Sequence, residues 1–459
     1  MKATSLPQLT RREMIRVGGV AVSCYALAPM LRPRNVQADA QVEPRGGADV
    51  CIFLMLKGGP SQLETFDVKE GSWTPDDLAI ETITPDLRMP MGLLPKLAKR
   101  HERYALIRSM EAWEAEHARG VYYIQAGRLF SPARRNEIPS VGSIVAWETA
   151  NRRRASDFLP PFLSMDLGTA DLVGAGCLGR TAAPMAIRSG GKLPFVIADD
   201  ERETFARRRG ILQKLDREWR ETDSGRGRLP ADIEQQYQAA IPLLNNTKSA
   251  NVFQIDAQQR KRYGECGVGD ACLLAKNVIE ADAGTRFILI SHDGWDLHAK
   301  AFDKLAGNNQ YKLCRDLDFA LSSLLDDLET TRDKSGKKLI DKTFLACMGE
   351  FGRTPGELTL NEGRDHYRFA AVGLFAGAGV QGGRVIGATD ETAAHVIDPG
   401  WHQNRSIYPE DVLATLYSTM GIDWSKKITD TASGRPFDYV ENISPKGYLE
   451  FAEIRELFV

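Results

Sequence analysis

Five runs of almost unbroken apolar residues punctuate this chain: "DVCIFLMLKGG" from Asp49, "YALIRSM" from Tyr104, "RFILISHDG" from Arg286, "TFLACMGE" from Thr343 and "FAAVGLFAGAG" from Phe369. Runs of this kind leave no face for water, which suits strands covered on both sides. Between them lie segments of helical periodicity, such as Leu93 to His101 and Lys312 to Leu328. The alternation predicts an α/β fold with a mostly parallel central sheet and helices on both faces. A charged span at about 200–276 has helical periodicity and includes "ERETFARRRGILQKLDREWRE". Acids alternate with its arginines at helical spacing, so it is expected to be a solvated helical insertion capping one side of the sheet.

In such sheets ligands gather beyond the carboxyl ends of the strands. The residues that follow each predicted strand are therefore the candidates for chemistry. They read "KGGPSQLETFD", "SMEAWEAEHARG", "SHDGWDLH" and "GEFGRTP", the last followed closely by "GRDHY". His117, His292, His298 and His366 all fall in these stretches. Asp296 and His298 are one residue apart, so a loop can turn both to one point, and carboxylate with imidazole is a divalent-metal set. Asp296, His298, Glu350, Asp365 and His366 are the expected metal ligands, within about 2.0–2.3 Å of a shared ion when it is bound. Asp365 has an alternative role, accepting a hydrogen bond from a ligand histidine. The ion is a divalent metal such as Zn, Ca, Mg or Mn.

The remaining candidates concern the substrate. Arg353 has the planar fork to clamp an anion, or it pairs with Glu350 to brace the loop. His117 is a candidate nucleophile or general base, the plain alternative being a satisfied surface histidine. Ser61 is the competing nucleophile or a helix cap. The amides of Gly58 and Gly59 are expected to cradle the same oxygens. His395 and His402, in a later loop, are read as structural.

The front of the chain bears on compartment. Arg11 and Arg12 precede a short apolar segment from Val17 to Leu31, and small residues at Ala38 to Ala40 supply a cleavage site. This is the grammar of a twin-arginine export signal, with residues 1–40 removed and 41–459 forming the folded domain. The expectation is a periplasmic or secreted protein that meets the twin-arginine translocase during export and keeps no stable membrane span. With a net charge of −2, the chain lacks the basic excess of a nucleic-acid binder. Its seven cysteines include Cys24 in the signal and show no zinc-ribbon spacing. Cys51 and Cys347 sit in apolar runs, while Cys266 and Cys272 could bridge.

"GGPSQLETFD", "GWDLH", "GEFGRTP", "GRDHY" and the late "GRPFDYV" resemble the signature segments of a large family of bacterial exported proteins, a domain of unknown function. That family is usually grouped with the alkaline phosphatase/sulfatase-like superfamily, and the likeness runs from about Gly47 to Val440. The resemblance implies an alkaline phosphatase-like sandwich whose strand ends hold one or two metals and a nucleophile. It implies a metal-dependent hydrolase or transferase of phosphate or sulfate esters, its substrate an anionic small molecule or polysaccharide. The alternative is a non-catalytic binding or scaffold protein on the same fold. "EHARGVYYIQAGR" is similar to the nucleophile helix of metal-dependent phosphoglycerate mutases, with His117 at the place of their serine. Phe351 follows Glu350 where an Asp-His pair is usual. Gln62 and Glu64 stand where relatives often have His and Asp. These departures favour a one-metal or remodelled site over a two-metal site.

Overall fold

The computed structural model describes residues 36–38, 42–190, 202–222, 243, 247–429, 431, 433–441 and 449–459. Apart from 36–38, the expected export signal and its cleavage site lie outside the described residues. An eight-stranded sheet organises the rest. Its strands are β1 (Val50–Lys57), β2 (Ala105–Met110), β3 (Phe162–Met165), β4 (Met185–Ile187), β5 (Phe287–Asp293), β6 (Thr343–Met348), β7 (Ala371–Ala376) and β8 (Val385–Ile386). They lie in the order β8-β2-β7-β6-β1-β5-β3-β4. β1 sits between β5 and β6 and pairs in parallel with both.

Within this sheet β7 alone is reversed, running antiparallel to β2 and β6. The reason lies in its connection. A parallel return needs a crossover, usually helical, and no helix intervenes between Met348 and Ala371. The chain therefore leaves β6 and enters β7 at the same sheet edge. Everything from Gly349 to Ala370 stays on that edge, the carboxyl end of β1, β2, β5 and β6.

The alternation of side chains along β1 builds two cores. Cys51, Phe53 and Met55 pack with residues of α1 (His117–Ala126), α2 (Val141–Glu148) and α5 (Pro409–Thr419). Ile52, Leu54 and Leu56 pack on the other face with α3 (Gly267–Ala281) and α4 (Gln310–Thr330). α4 is capped by Asn309, whose side chain accepts the Lys312 amide at 2.9 Å. It buries Leu313, Leu317, Leu321, Leu324 and Leu328, the stripe expected of a helix lying on a sheet.

The charged span contains helices Arg202–Thr222, Thr247–Val252 and Ala257–Arg262, and α3 begins inside it. Because α3 packs on β5 and α4, it belongs to the helical layer of the sheet itself. The pairing considered for Cys266 and Cys272 is absent, and both thiols are free. No helix among the described residues is long and apolar enough to cross a membrane.

One buried acid joins α5 to α1. Glu410, 1 % exposed, accepts a hydrogen bond from the Tyr123 hydroxyl, and burial pushes its carboxyl up to about 8. Below the ordinary glutamate range both folded and unfolded chains hold this proton. As pH rises towards 8 only the folded chain keeps it, so stability falls by up to about 1.4 kcal/mol per pH unit from this group. Glu410→Gln is expected to remove that decline. Thermal melts of both proteins from pH 5 to pH 8 would show it, and parallel slopes would refute it.

Candidate metal centre

Three loops at the carboxyl edge contribute one or two polar side chains each. β2 ends at Met110, and a short loop carries the chain to His117, the first residue of α1. Glu116 caps that helix, accepting the amides of Ala118 and Arg119 at 3.0 Å. β5 ends at Asp293, and the turn beyond it presents Asp296 and His298. His366 lies in a two-residue ribbon, where Arg353 pairs with His366 and Gly352 with Tyr367.

These loops converge. His117, Asp296, His298 and His366 place one ligand atom each within 4.8 Å of the others. The Nε2 atoms of His117, His298 and His366 lie 2.9, 2.8 and 3.4 Å from Asp296 Oδ1. The Nε2 atoms of His298 and His366 are 3.0 Å apart.

The other ring nitrogens explain this crowding. His117 Nδ1 lies 2.7 Å from Glu350 Oε1, His298 Nδ1 lies 2.8 Å from Asp365 Oδ1, and His366 Nδ1 lies 2.8 Å from the Ala115 carbonyl. All three partners are acceptors, so each Nδ1 donates to its partner, and a ring that is neutral turns the lone pair on Nε2 inward. The buried Nε2 of His117 makes no properly angled hydrogen bond, although Asp296 Oδ1 is 2.9 Å away. Lone pairs brought this close repel unless a cation or an extra proton lies among them. Three imidazole nitrogens and a carboxylate oxygen, each ring oriented by a hydrogen bond at its far side, form the donor set of a borderline divalent metal. The residues present fit such an ion.

Without metal the same crowding moves the titrations. Burial acts to raise the Asp296 carboxyl, but the hydrogen bond from Arg353 and the attraction of His117, when that ring is protonated, outweigh it and hold the group down at about 2. Burial alone would lower His117. The Glu350 and Asp296 carboxylates reverse this and raise it.

Of the expected ligands, Asp296, His298 and His366 are brought together, and His117, read from sequence as a candidate nucleophile or base, lies among them. Glu350 is not among the converging oxygens. It is 1 % exposed, and Oε1 accepts both His117 Nδ1 and the Gly58 amide, the latter at 2.9 Å. Asp365 likewise stands behind His298, not behind its neighbour His366.

The expected anion-binding groups are turned to other uses. Arg353, 2 % exposed, donates through Nε to the Gly59 carbonyl at 2.9 Å and through one terminal nitrogen to the Arg364 carbonyl at 3.0 Å. Its other terminal nitrogen reaches the Gly58 carbonyl and Asp296 Oδ1, the latter at 2.7 Å. Its ionic partner is thus Asp296, where Glu350 was expected. The Gly59 amide bonds the Leu56 carbonyl, leaving no free pair of amides at that turn. Gly58, at φ 109°, admits Asp296 by having no side chain, since a Cβ there would lie 2.4 Å from the Asp296 amide nitrogen. Ser61 caps no helix. It is 7 % exposed, its hydroxyl lacks a hydrogen bond and its carbonyl accepts Thr65.

Residues of "GGPSQLETFD" that looked like lost ligands prove to be braces. The Gln62 amide bonds the Arg353 carbonyl at 2.7 Å and accepts its N–H at 2.8 Å. Glu64 pairs with buried Arg364 at 2.6 Å. These partnerships link the sequence motifs to one another, and only the co-occurrence of the motifs hinted at them. His292 stays outside the cluster, where it accepts Trp295 Nε1 at 3.3 Å and burial lowers it to about 4.

Glu350→Gln tests the brace behind His117. Metal affinity is expected to fall about 10–100-fold with the fold kept, as for other oriented histidine ligands. Calorimetric metal titration would measure this. Unchanged affinity would remove Glu350 from the centre.

No curated protein matches the sequence. Among solved structures, an alkaline phosphatase superfamily protein from Vibrio parahaemolyticus aligns over 92% of this chain and 77% of its own at 11% identity, with a TM-score of 0.37. The phosphonate monoester hydrolase SpPMH from Silicibacter pomeroyi aligns over 82% and 74% at 12% identity and 0.34. The C-terminal periplasmic domain of EcEptC from Escherichia coli, in complex with Zn, aligns over 91% and 98% at 10% identity and 0.32. Likeness at this level carries no inference about chemistry. The family model for proteins of unknown function DUF1501 matches residues 48–446, from the start of the central sheet to beyond the "GRPFDYV" segment, and the chain belongs to that family.

Proposed function

We propose that this protein is an exported hydrolase or transferase of phosphate or sulfate esters that works with a single divalent metal. The reading is carried by one observation: three imidazole Nε2 lone pairs converge on Asp296 Oδ1 while every Nδ1 is committed to an acceptor. Export rests on the Arg11–Arg12 signal, and the ester class rests on the sequence motifs. His117, Asp296, His298 and His366 would hold the ion. When bound, it would polarise an ester oxygen or lower the pKa of a coordinated water.

The chain supplies the rest by positioning. Glu350 and Asp365 hold the Nδ1 protons of His117 and His298, fixing which nitrogen faces inward. Arg353 steadies Asp296 from behind and leaves anion recognition to the ion itself. The Asp296 and His298 side chains are each 43% exposed, so the donor set opens to solvent and a substrate can approach it. A second reading, a binding protein, is favoured by the full set of four protein donors, a number usual in structural zinc sites.

Elemental analysis of the purified chain, paired with turnover of an aryl phosphate, an aryl phosphodiester and an aryl sulfate, separates the two. The expected result is about one metal per chain and hydrolysis that disappears in His298→Ala. One bound metal with no turnover of any ester would establish the binding reading. A folded chain that takes up no metal would end both.

A further inference from the structure

The histidines of the centre are not equivalent. His117 is backed by a carboxylate with a fully buried side chain, Glu350, whose charge water does not screen. His298 is backed by Asp365, a carboxylate 64% exposed. His366 is backed only by a neutral backbone carbonyl, that of Ala115. A carboxylate behind an imidazole makes the far nitrogen more basic and a better donor, whereas a carbonyl does so weakly. Support points the same way. His117 opens a ten-residue helix, and His366 belongs to a ribbon two residues long on each side.

A tetrahedral ion held by all four side chains has no position left for substrate, and catalytic sites keep one open. Asp296 cannot readily leave, because buried Arg353 grips the same oxygen at 2.7 Å. We propose that His366 is the exchangeable donor: it yields its place to substrate while His117, His298 and Asp296 keep the metal. This rests on the metal-centre reading above and adds to it which side chain gives way.

Cobalt(II) provides a probe that reads the donor set without turnover. Wild type, His117→Ala, His298→Ala and His366→Ala would be titrated with Co2+ and followed by visible absorption. His366→Gln serves as a second variant, and the one that melts cooperatively is used. The His366 variant is expected to bind Co2+ within about 10-fold of wild type, and its spectrum to shift when free imidazole is added. His117→Ala and His298→Ala are expected to weaken binding by about 100-fold or more, beyond the usual cost of losing an outer partner. A His366 variant that loses Co2+ as completely as His298→Ala would overturn the proposal and leave the metal centre standing. A wild type that binds no Co2+ would overturn both.

Discussion

Asp296→Asn is expected to empty the metal centre while leaving the chain folded. Asp296 Oδ1 is the hub of the site, facing the Nε2 atoms of His117, His298 and His366 and held by Arg353. The amide keeps the shape but loses the negative charge that would make this oxygen a ligand and that opposes the guanidinium. Metal affinity should fall by about 100-fold or more, on the scale by which even outer partners tune such sites. Stability should fall as well, because Arg353 is buried and keeps only neutral carbonyls as partners. A hydrogen bond to a charged group is worth about 1.5–3 kcal/mol. Asp296 is 43% exposed, which screens the pair and places the loss near the lower figure. Metal content and a thermal melt on the same preparation would measure both effects. Retention of stoichiometric metal would show that Asp296 is a bystander.

Arg353→Lys is expected to damage the fold and the centre together. The guanidinium joins the turn after β1, through Gly58 and Gly59, to Asp296 after β5 and to Arg364 beside the ribbon. A lysine keeps the charge, but its single nitrogen cannot reach these partners in one plane. Carbonyls left buried without donors cost about 1–3 kcal/mol each. A loss on the order of 3 kcal/mol is expected, with weaker metal binding because Asp296 is no longer held. Adding inorganic phosphate should not discriminate the variant from wild type beyond the loss of metal. A variant with unchanged melting and metal content but a specific loss of anion affinity would restore the clamp role that the sequence suggested.

How much of this was written in the chain itself can be judged strand by strand. The apolar runs at Val50, Ala105, Phe287, Thr343 and Ala371 each became a strand of the central sheet, because a run of that kind can be hidden only between two helical layers. The rule that chemistry gathers beyond strand ends followed from that assignment, so Asp296, His298, His366 and His117 were legible as candidates before any contact was known. The roles of Glu350, Asp365 and Arg353 were not. A sequence places Glu350 and Asp365 beside histidines without saying whether an oxygen faces the ion position or the back of a ring. Only packing chose: Glu350 lies against α1, where a Cβ on Gly120 would come within 3.0 Å of it, and so it meets Nδ1 of His117. Arg353 was ambiguous for the same reason, since its fork serves an anion or several carbonyls equally well. The reversal of β7 brings the ribbon back to the turns that follow β1 and β5, where the guanidinium meets the carbonyls of Gly58, Gly59 and Arg364 and the carboxylate of Asp296. Local sequence determined which residues reach the carboxyl edge, because strand burial and turn chemistry act over a few positions. The tertiary structure decided which way each side chain faces there, because that depends on neighbours hundreds of residues away.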